Sequence, residues 1–168
     1  MRRGVILRSG GQSGVDRAAL EVARELGLER RGWCPRGGWA EDAPAPPGVR
    51  GVFPELLETP SADPQQRTAW NVRDADATLI LCPSDRLDAS PGTRFTRLCA
   101  EAIFAKPWLL ADLTTADPSR EVAAWLDARI LECGARPLDL NVAGPRESEA
   151  PGIRERAAQV LRRLLAER

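Results

Sequence analysis

Short apolar runs alternate with segments of helical periodicity along most of the chain, and this alternation limits the folds open to it. Strands are predicted at residues 4–8, 31–34, 77–82, 107–111 and 138–142, with helical segments between most of them. Most of these runs are continuously apolar, which is typical of strands buried on both faces of a parallel sheet. The pattern therefore predicts an α/β fold with a mostly parallel sheet and crossover helices.

Helix signals stand between the predicted strands. Asp63-Pro64 and Asp117-Pro118 each offer a capping side chain followed by a proline at the first helical position. Gly27 is placed to end the first helix in a left-handed conformation. Residues 93–105 are predicted as a helix. Residues 35–51, rich in proline and glycine, are predicted as a long loop.

Composition narrows the class of protein. A length of 168 residues favours a single domain, residues 1–168, with one core. The formal net charge is zero, so the total gives no argument for a nucleic-acid or membrane partner. No signal peptide or long apolar span is visible, and the four cysteines include no Cys-x-x-Cys pair. We therefore expect free thiols, no zinc or other protein metal site, and a cytoplasmic location.

Two residue types that carry much enzyme chemistry are absent. The sequence contains neither histidine nor tyrosine. Without histidine, the commonest general base and the Ser-His and Cys-His nucleophile pairs are excluded. The sequence therefore predicts no catalytic residue and favours binding over catalysis.

The turn between the first strand and the first helix is the strongest candidate for a ligand site. Glycines let the backbone come close to a ligand, and free amides at a helix start attract phosphate or another oxyanion. Arg17 would add a fork of donors if it faced the turn. A capping box made by Ser13 and Asp16 is the alternative that needs no ligand. The binding candidates here are Gly10, Gly11, Gln12, Ser13, Gly14 and Arg17.

Two further turns follow predicted strands. One opens the helix at residues 93–105 and is either an anion site or an ordinary helix cap. The other follows the last strand and is either a ligand contact or a turn with an exposed arginine. In a parallel sheet all three turns lie at the same edge, so we expect them to meet around one anionic small molecule. The candidates in these two turns are Gly92, Thr93, Asn141, Gly144 and Arg146.

The long loop carries three charged residues of interest. Arg36 is a further binding candidate if the loop closes over the site as a lid. Glu41 and Asp42 are adjacent carboxylates, a pair that can bind Mg²⁺. A solvated turn is the alternative and the more frequent role of such a pair.

Five blocks of residues occur in an order that covers nearly the whole chain. They are Ser9-Gly10-Gly11-Gln12-Ser13-Gly14-Val15-Asp16-Arg17-Ala18-Ala19, Gly32-Trp33-Cys34-Pro35-Arg36-Gly37 with Ala40-Glu41-Asp42, Arg67-Thr68-x-x-Asn71-Val72 with residues 76–80, Gly92-Thr93-x-x-Thr96, and Leu140-Asn141-Val142-Ala143-Gly144-Pro145-Arg146-Glu147-Ser148. These blocks resemble the signature segments of the putative molybdenum carrier family. That family lies within the Rossmann-like lysine-decarboxylase-like/Lonely Guy (SLOG) superfamily.

The resemblance implies more than the pattern alone. It implies a Rossmann-like three-layer fold with helices on both faces of the sheet, and a homo-oligomer, either a dimer or a tetramer. It also implies storage or delivery of molybdenum cofactor (molybdopterin), with molybdenum enzymes as candidate partners. The ligand stays open between molybdenum cofactor and a nucleotide, either of them with or without Mg²⁺. Because the dithiolene of the cofactor itself binds molybdenum, a carrier needs no protein ligand to the metal.

Two departures from the family pattern bear on function. Pro91 stands where a glycine usually precedes Gly92-Thr93, which removes one amide and stiffens the turn. Related phosphoribohydrolases carry a glutamate three residues after the threonine, where this chain has Thr96. That difference argues against the same nucleotide hydrolysis.

Two alternatives to the carrier remain open. One is a nucleotide-binding sensor that signals by changing its oligomeric state. The other is a nucleotide-processing hydrolase related to the Lonely Guy phosphoribohydrolases, with Glu41, Asp42 or Asp16 as acid or base. The hydrolase rests on the fold relationship alone.

Overall fold

The computed structural model describes residues 4–114 and 117–166. In those ranges the strands are β1 (Val5–Arg8), β2 (Arg30–Arg31), β3 (Trp33–Cys34), β4 (Leu57–Glu58), β5 (Ala77–Cys82), β6 (Trp108–Asp112) and β7 (Leu138–Ala143). The α-helices are α1 (Val15–Glu25), α2 (Pro64–Asp74), α3 (Pro91–Leu98), α4 (Ser119–Cys133) and α5 (Ile153–Leu165). Short 3₁₀ helices span Gly48–Gly51 and Ser84–Arg86, and a π-helical turn, Cys99–Ile103, extends α3.

The main sheet has the strand order β2-β1-β7-β5-β6, and every strand pair in it is parallel. Leu7 of β1 pairs with Leu140 of β7, and Leu79 of β5 pairs with Val142. All four side chains are fully buried, as expected for strands that are covered on both faces. The Rossmann-like α/β fold is thereby confirmed.

Crossover direction explains which helices share a face of the sheet. The chain moves one way across the sheet through α1 and α4, and the opposite way through α3. Because parallel crossovers are right-handed, α1 and α4 lie on one face and α3 on the other. The apolar core divides accordingly: α1, α4 and α5 contribute to the large cluster, whereas Val72, Cys99 and Ala100 form a small one.

The connections at one edge of the sheet create a crevice. From β1 the chain turns towards β2, and from β5 it turns the other way towards β6. β7 lies between β1 and β5, so the carboxyl ends of these three strands stand side by side where the connections diverge. In open α/β sheets such a point is where ligands bind.

Several predictions of helix ends and loops are confirmed. Asp63 caps α2, with its carboxylate accepting a hydrogen bond from the Gln65 amide at 2.9 Å, and Pro64 is the first helical residue. Gly27 has φ +67°, the left-handed conformation predicted after α1. Residues 35–51 form the predicted long loop apart from the 3₁₀ turn. The loop buries Ala40 and Val49 against the large core cluster.

Other local predictions were wrong. The strand predicted at residues 31–34 is split at Gly32, because β2 joins the main sheet and β3 pairs with β4. A side chain at Gly32 would overlap the carbonyl oxygen of Ser9, so the bend needs glycine there. The helix predicted to begin at residue 93 begins at Pro91. Gly14, not Ser13, precedes α1, and none of the described side chains caps that helix.

Among the described residues, none of the helices is both long enough and apolar enough to cross a bilayer.

Candidate functional site

A polar cleft opens at the carboxyl ends of β1, β5 and β7. Its volume is about 40 Å³, whereas one water molecule needs roughly 10–15 Å³. The cleft therefore suits an anion of phosphate size rather than a whole heterocyclic ligand. The residues that line it are Gly10, Gln12, Asp16, Arg67, Thr68, Asn71, Ser90, Gly92, Thr93, Thr96, Asn141, Ala143, Gly144, Arg146 and Glu149.

Gln12 lines the polar cleft, and its side chain carries a donor that has no partner among the described residues. The residue is 5% exposed, and its Oε1 accepts hydrogen bonds from the amides of Ser13 at 3.0 Å and Glu41 at 2.9 Å. Because both neighbours are N–H donors, the oxygen must face them and the nitrogen must face away. Nε2 is buried without a partner among the described residues. An unpaired buried donor costs roughly 1–3 kcal/mol, so this nitrogen suits a ligand that supplies an acceptor.

A buried ion pair forms another part of the wall. Arg67 of α2 donates from Nη1 to Asp16 Oδ2 at 2.9 Å, and the two side chains are 10% and 8% exposed. Burial raises the pKa of Asp16 above its usual range, and the charge of Arg67 limits that rise. Arg67 Nε has no partner within the described chain. A Cβ on Gly10 would overlap the Arg67 guanidinium, so a side chain there would push Arg67 out of its present position.

The start of α3 faces the same cleft. Ser90 Oγ and Thr93 Oγ1 are 2.7 Å apart, and Thr96 Oγ1 donates to the carbonyl oxygen of Gly92 at 3.0 Å. The first-turn amides of a helix have no acceptor within the helix, and they carry partial positive charge. A Cβ placed on Gly92 would meet open space. At Gly92 this turn is therefore open to solvent, whereas Ser90 and Thr93 are buried.

The turn after β7 completes the cleft. Asn141 Nδ2 donates to Thr78 Oγ1 at 3.4 Å, which fixes the side chain at the strand end. Glu149 accepts hydrogen bonds from Ser90 Oγ at 2.7 Å and from the Arg146 amide at 3.1 Å. The Arg146 guanidinium also lies 3.5 Å from the Glu149 carboxylate. The Glu149 carboxylate therefore already engages Ser90 and Arg146, whose donors an incoming anion could otherwise use.

The fold and its strand-end cleft match known proteins. Residues 7–165 match the model of the circularly permutated YpsA SLOG family. The chain belongs to this family. The resemblance seen in the motif blocks is confirmed.

One solved structure extends the match over nearly the whole chain. It is the crystal structure of a protein named putative molybdenum carrier protein, from Syntrophus aciditrophicus SB. The two chains are 31% identical, the match covers 98% of this chain and 96% of that chain, and the TM-score is 0.80. No curated protein matches the chain.

The fold of this circularly permutated YpsA SLOG protein brings together seven of the twelve residues predicted to bind the ligand. These seven line the polar cleft: Gly10, Gln12, Gly92, Thr93, Asn141, Gly144 and Arg146. Arg67 and Glu149 also line the polar cleft, although the sequence did not predict them as binding residues. The signal for Arg67 was its place in a motif block, and Glu149 stands one residue beyond the last block.

Two predicted glycines serve packing instead of facing the cleft. Gly11 has φ +76°, and a Cβ there would press on the side chains of Val49 and Leu56. Gly14 has φ +77°, and a Cβ would overlap the carbonyl oxygen of Pro145. Both positions need glycine because other segments of the chain pack too closely to leave space for a side chain.

Ser13 and Arg17 tie the long loop to the β1–α1 turn. The Glu41 carboxylate accepts hydrogen bonds from the hydroxyls of Ser13 and Ser148, the latter at 2.6 Å. We call Glu41, Ser13 and Ser148 the Glu41 latch. Burial alone would raise the pKa of Glu41, but these hydrogen bonds and the charge of Arg146 lower it below its ordinary value.

Asp42 is also fully engaged. Arg17 donates from Nη1 and Nη2 to the two Asp42 carboxylate oxygens, each at 2.9 Å. Its Nη2 also donates to the carbonyl oxygen of Gly11 at 3.2 Å. Neither Glu41 nor Asp42 is among the residues that line the polar cleft. Among the described residues, no group of three His, Cys, Asp or Glu side chains could hold a metal ion.

Arg36 lies in a second depression, which we call the proline groove. Its walls are Arg36, Trp39, Pro44, Pro46, Ala62 and Pro64, and its volume is about 450 Å³. The Arg146 guanidinium carbon lies 5.7 Å from the centroid of the Trp39 ring, so Arg146 contacts a groove residue as well as the cleft. The exposed Arg36 side chain is at the edge of this groove, not in the cleft.

Proposed function

We propose that this protein is a non-catalytic carrier that holds the phosphate of an anionic small molecule in the polar cleft. The observation that carries the proposal is the unpartnered Nε2 of Gln12, whose orientation is fixed by two backbone amides. A phosphate oxygen would pair with this nitrogen and remove the cost of leaving it unsatisfied. The amides at the start of α3 would supply further donors to the same anion.

Molybdenum cofactor is the first candidate for the cargo. The support is membership of the circularly permutated YpsA SLOG family together with the name of the related structure, putative molybdenum carrier protein. The donor set of the cleft fits the phosphate of such a cofactor. Cys34, Cys82 and Cys99 are buried and Cys133 is half-buried, and none of them lines the cleft or the groove. Molybdenum would therefore keep the sulfur ligands of its own pterin.

Native mass spectrometry of protein purified without added ligand tests the carrier. We expect a bound mass that denaturation releases as a pterin or its oxidation product. The variant Gln12→Glu keeps both acceptor contacts of the side chain but replaces the free donor with an acceptor, so it should purify empty. Gln159→Glu is the matched control, since Gln159 is exposed on α5. Wild type that purifies empty and binds no phosphate would overturn the proposal.

A nucleotide hydrolase is the second candidate. It is favoured by the two carboxylates that line the cleft, Asp16 and Glu149, of which Asp16 has a pKa raised by burial. Both carboxylates are engaged, by Arg67 and by Ser90 and Arg146, so a substrate would have to displace a partner. Product formation from a panel of nucleoside monophosphates, abolished by Glu149→Gln, would establish it. If none of the nucleoside monophosphates gave a product, the hydrolase would be excluded and the carrier would stand.

The assembly is proposed to be a homo-oligomer, a dimer or a tetramer, as the family resemblance implies. Light scattering on purified protein gives the mass. Scattering with and without a nucleotide also separates a carrier of fixed mass from a sensor that changes its oligomeric state.

A further inference from the structure

The polar cleft accounts for only part of a phosphate-bearing cargo. Its volume of about 40 Å³ corresponds to only a few water molecules, so a planar ring system attached to the phosphate would extend beyond it. We propose that the proline groove holds the planar heterocycle of the same molecule whose phosphate lies in the polar cleft. This inference rests on the proposed function and adds the second half of the binding site.

Helix α2 connects the groove to the cleft. Pro64 at its start is a wall of the proline groove, and Thr68, one turn later, is a wall of the polar cleft. The Thr68 hydroxyl donates to the carbonyl oxygen of Pro64 at 3.1 Å. A rise of about 1.5 Å per residue puts these positions about 6 Å apart along the helix. One small molecule can therefore reach both walls.

Trp39 and Arg146 form a second connection. Arg146 lines the cleft, Trp39 lines the groove, and the guanidinium lies over the indole ring. An arginine held in this way can meet a phosphate with its nitrogens while the ring beside it stays available to the groove. The two sites thus share a boundary of two side chains.

The chemistry of the groove indicates its occupant. Trp39 and the three prolines present flat or rigid apolar surfaces, which suit stacking against a planar ring. The charged side chain among these walls, Arg36, is exposed and can donate to the carbonyl edge of a ring. A volume of about 450 Å³ is within the usual range for small-molecule sites. The matching ligand is a phosphate ester of a pterin or purine.

Calorimetry with three probes tests the groove: inorganic phosphate, GMP and hydroxymethylpterin diphosphate. Ala62→Trp fills the groove from its exposed wall without changing Arg146 or Trp39. Ala135→Trp is the matched control, because Ala135 is an exposed alanine after α4 near the opposite edge of the sheet. We expect at least one heterocyclic ester to bind wild type and the control about tenfold more tightly than inorganic phosphate. Ala62→Trp should lose that advantage and keep the affinity for inorganic phosphate.

The outcomes separate the two proposals. Preference for GMP would identify a purine cargo, and preference for the pterin ester a pterin cargo. If neither ester binds wild type more tightly than phosphate, or if Ala62→Trp keeps the advantage, the groove proposal is wrong while phosphate binding stands. If wild type binds none of the three probes, the proposed function itself fails.

Discussion

The β1–α1 turn and the β5–α3 turn lie at the same edge of the sheet, yet they use glycine in opposite ways. In the β1–α1 turn, neighbouring protein atoms occupy the space where side chains of Gly11 and Gly14 would lie. The absence of these side chains therefore allows close packing. In the β5–α3 turn, a Cβ on Gly92 would meet nothing within 4 Å. The turn with the richer glycine motif is thus the more closed of the two.

The difference shows where a ligand site must be sought in such a turn. Glycine content measures how tightly a backbone bends or packs, whereas binding depends on donors left without partners. In the β1–α1 turn that donor belongs to Gln12, not to a glycine. In the β5–α3 turn the donors are the amides at the helix start.

Replacing glycine by alanine in each turn gives the largest expected contrast. Gly14→Ala would combine an unfavourable backbone conformation, φ +77° and ψ −131°, with overlap against Pro145, and should lower the free energy of unfolding by about 3 kcal/mol. Gly92→Ala lies within α3 with free space around it, so its stability should stay within about 1 kcal/mol of wild type. Denaturant unfolding measures both. Equal losses in the two variants would show that the turns are packed alike.

The Glu41 latch gives a smaller effect that depends on pH. Glu41→Gln weakens the hydrogen bonds to Ser13 and Ser148 and should cost about 1 kcal/mol at pH 7. Because the folded-state pKa of Glu41 lies below its ordinary value of 4.5, this stabilisation is present above that pH and is lost as pH falls through the folded pKa.

Thermal melting from pH 7 to pH 3 checks the latch. The difference in melting temperature between wild type and Glu41→Gln should be constant down to about pH 5 and shrink below pH 4.5. A difference that grows on acidification would contradict the assignment of the latch to an ionised Glu41.

The sequence was a good guide to the sheet and to the edge where the site lies. Apolar runs such as Ala77–Cys82 are buried on both faces, and that requirement is local enough to be visible in the chain. Parallel strands then place their turns together whatever the loops do. For the same reason Asn141 and Gly92, 49 positions apart in the chain, could be expected at one cleft.

The side-chain contacts within the site could not be predicted from the sequence. Arg67 reaches the cleft only because α2 packs beside the β1–α1 turn, and its ion pair with Asp16 joins positions 51 residues apart. Arg36 lies in the proline groove because of the path of a long loop, which no periodicity records. The partners of Gln12 likewise include an amide of that loop. Such contacts follow from tertiary packing, so a single sequence does not specify them.

Titration of inorganic phosphate into wild type, Gln12→Glu and Gln159→Glu tests whether the polar cleft binds phosphate. The cleft is proposed to bind phosphate through the donor of Gln12, so wild type and Gln159→Glu should bind with equal affinity. Gln12→Glu should bind at least about tenfold more weakly, since a donor is replaced by a repelling carboxylate. Equal binding by all three proteins would show that Gln12 does not contact the phosphate, and binding by none would show that the cleft is not a phosphate site.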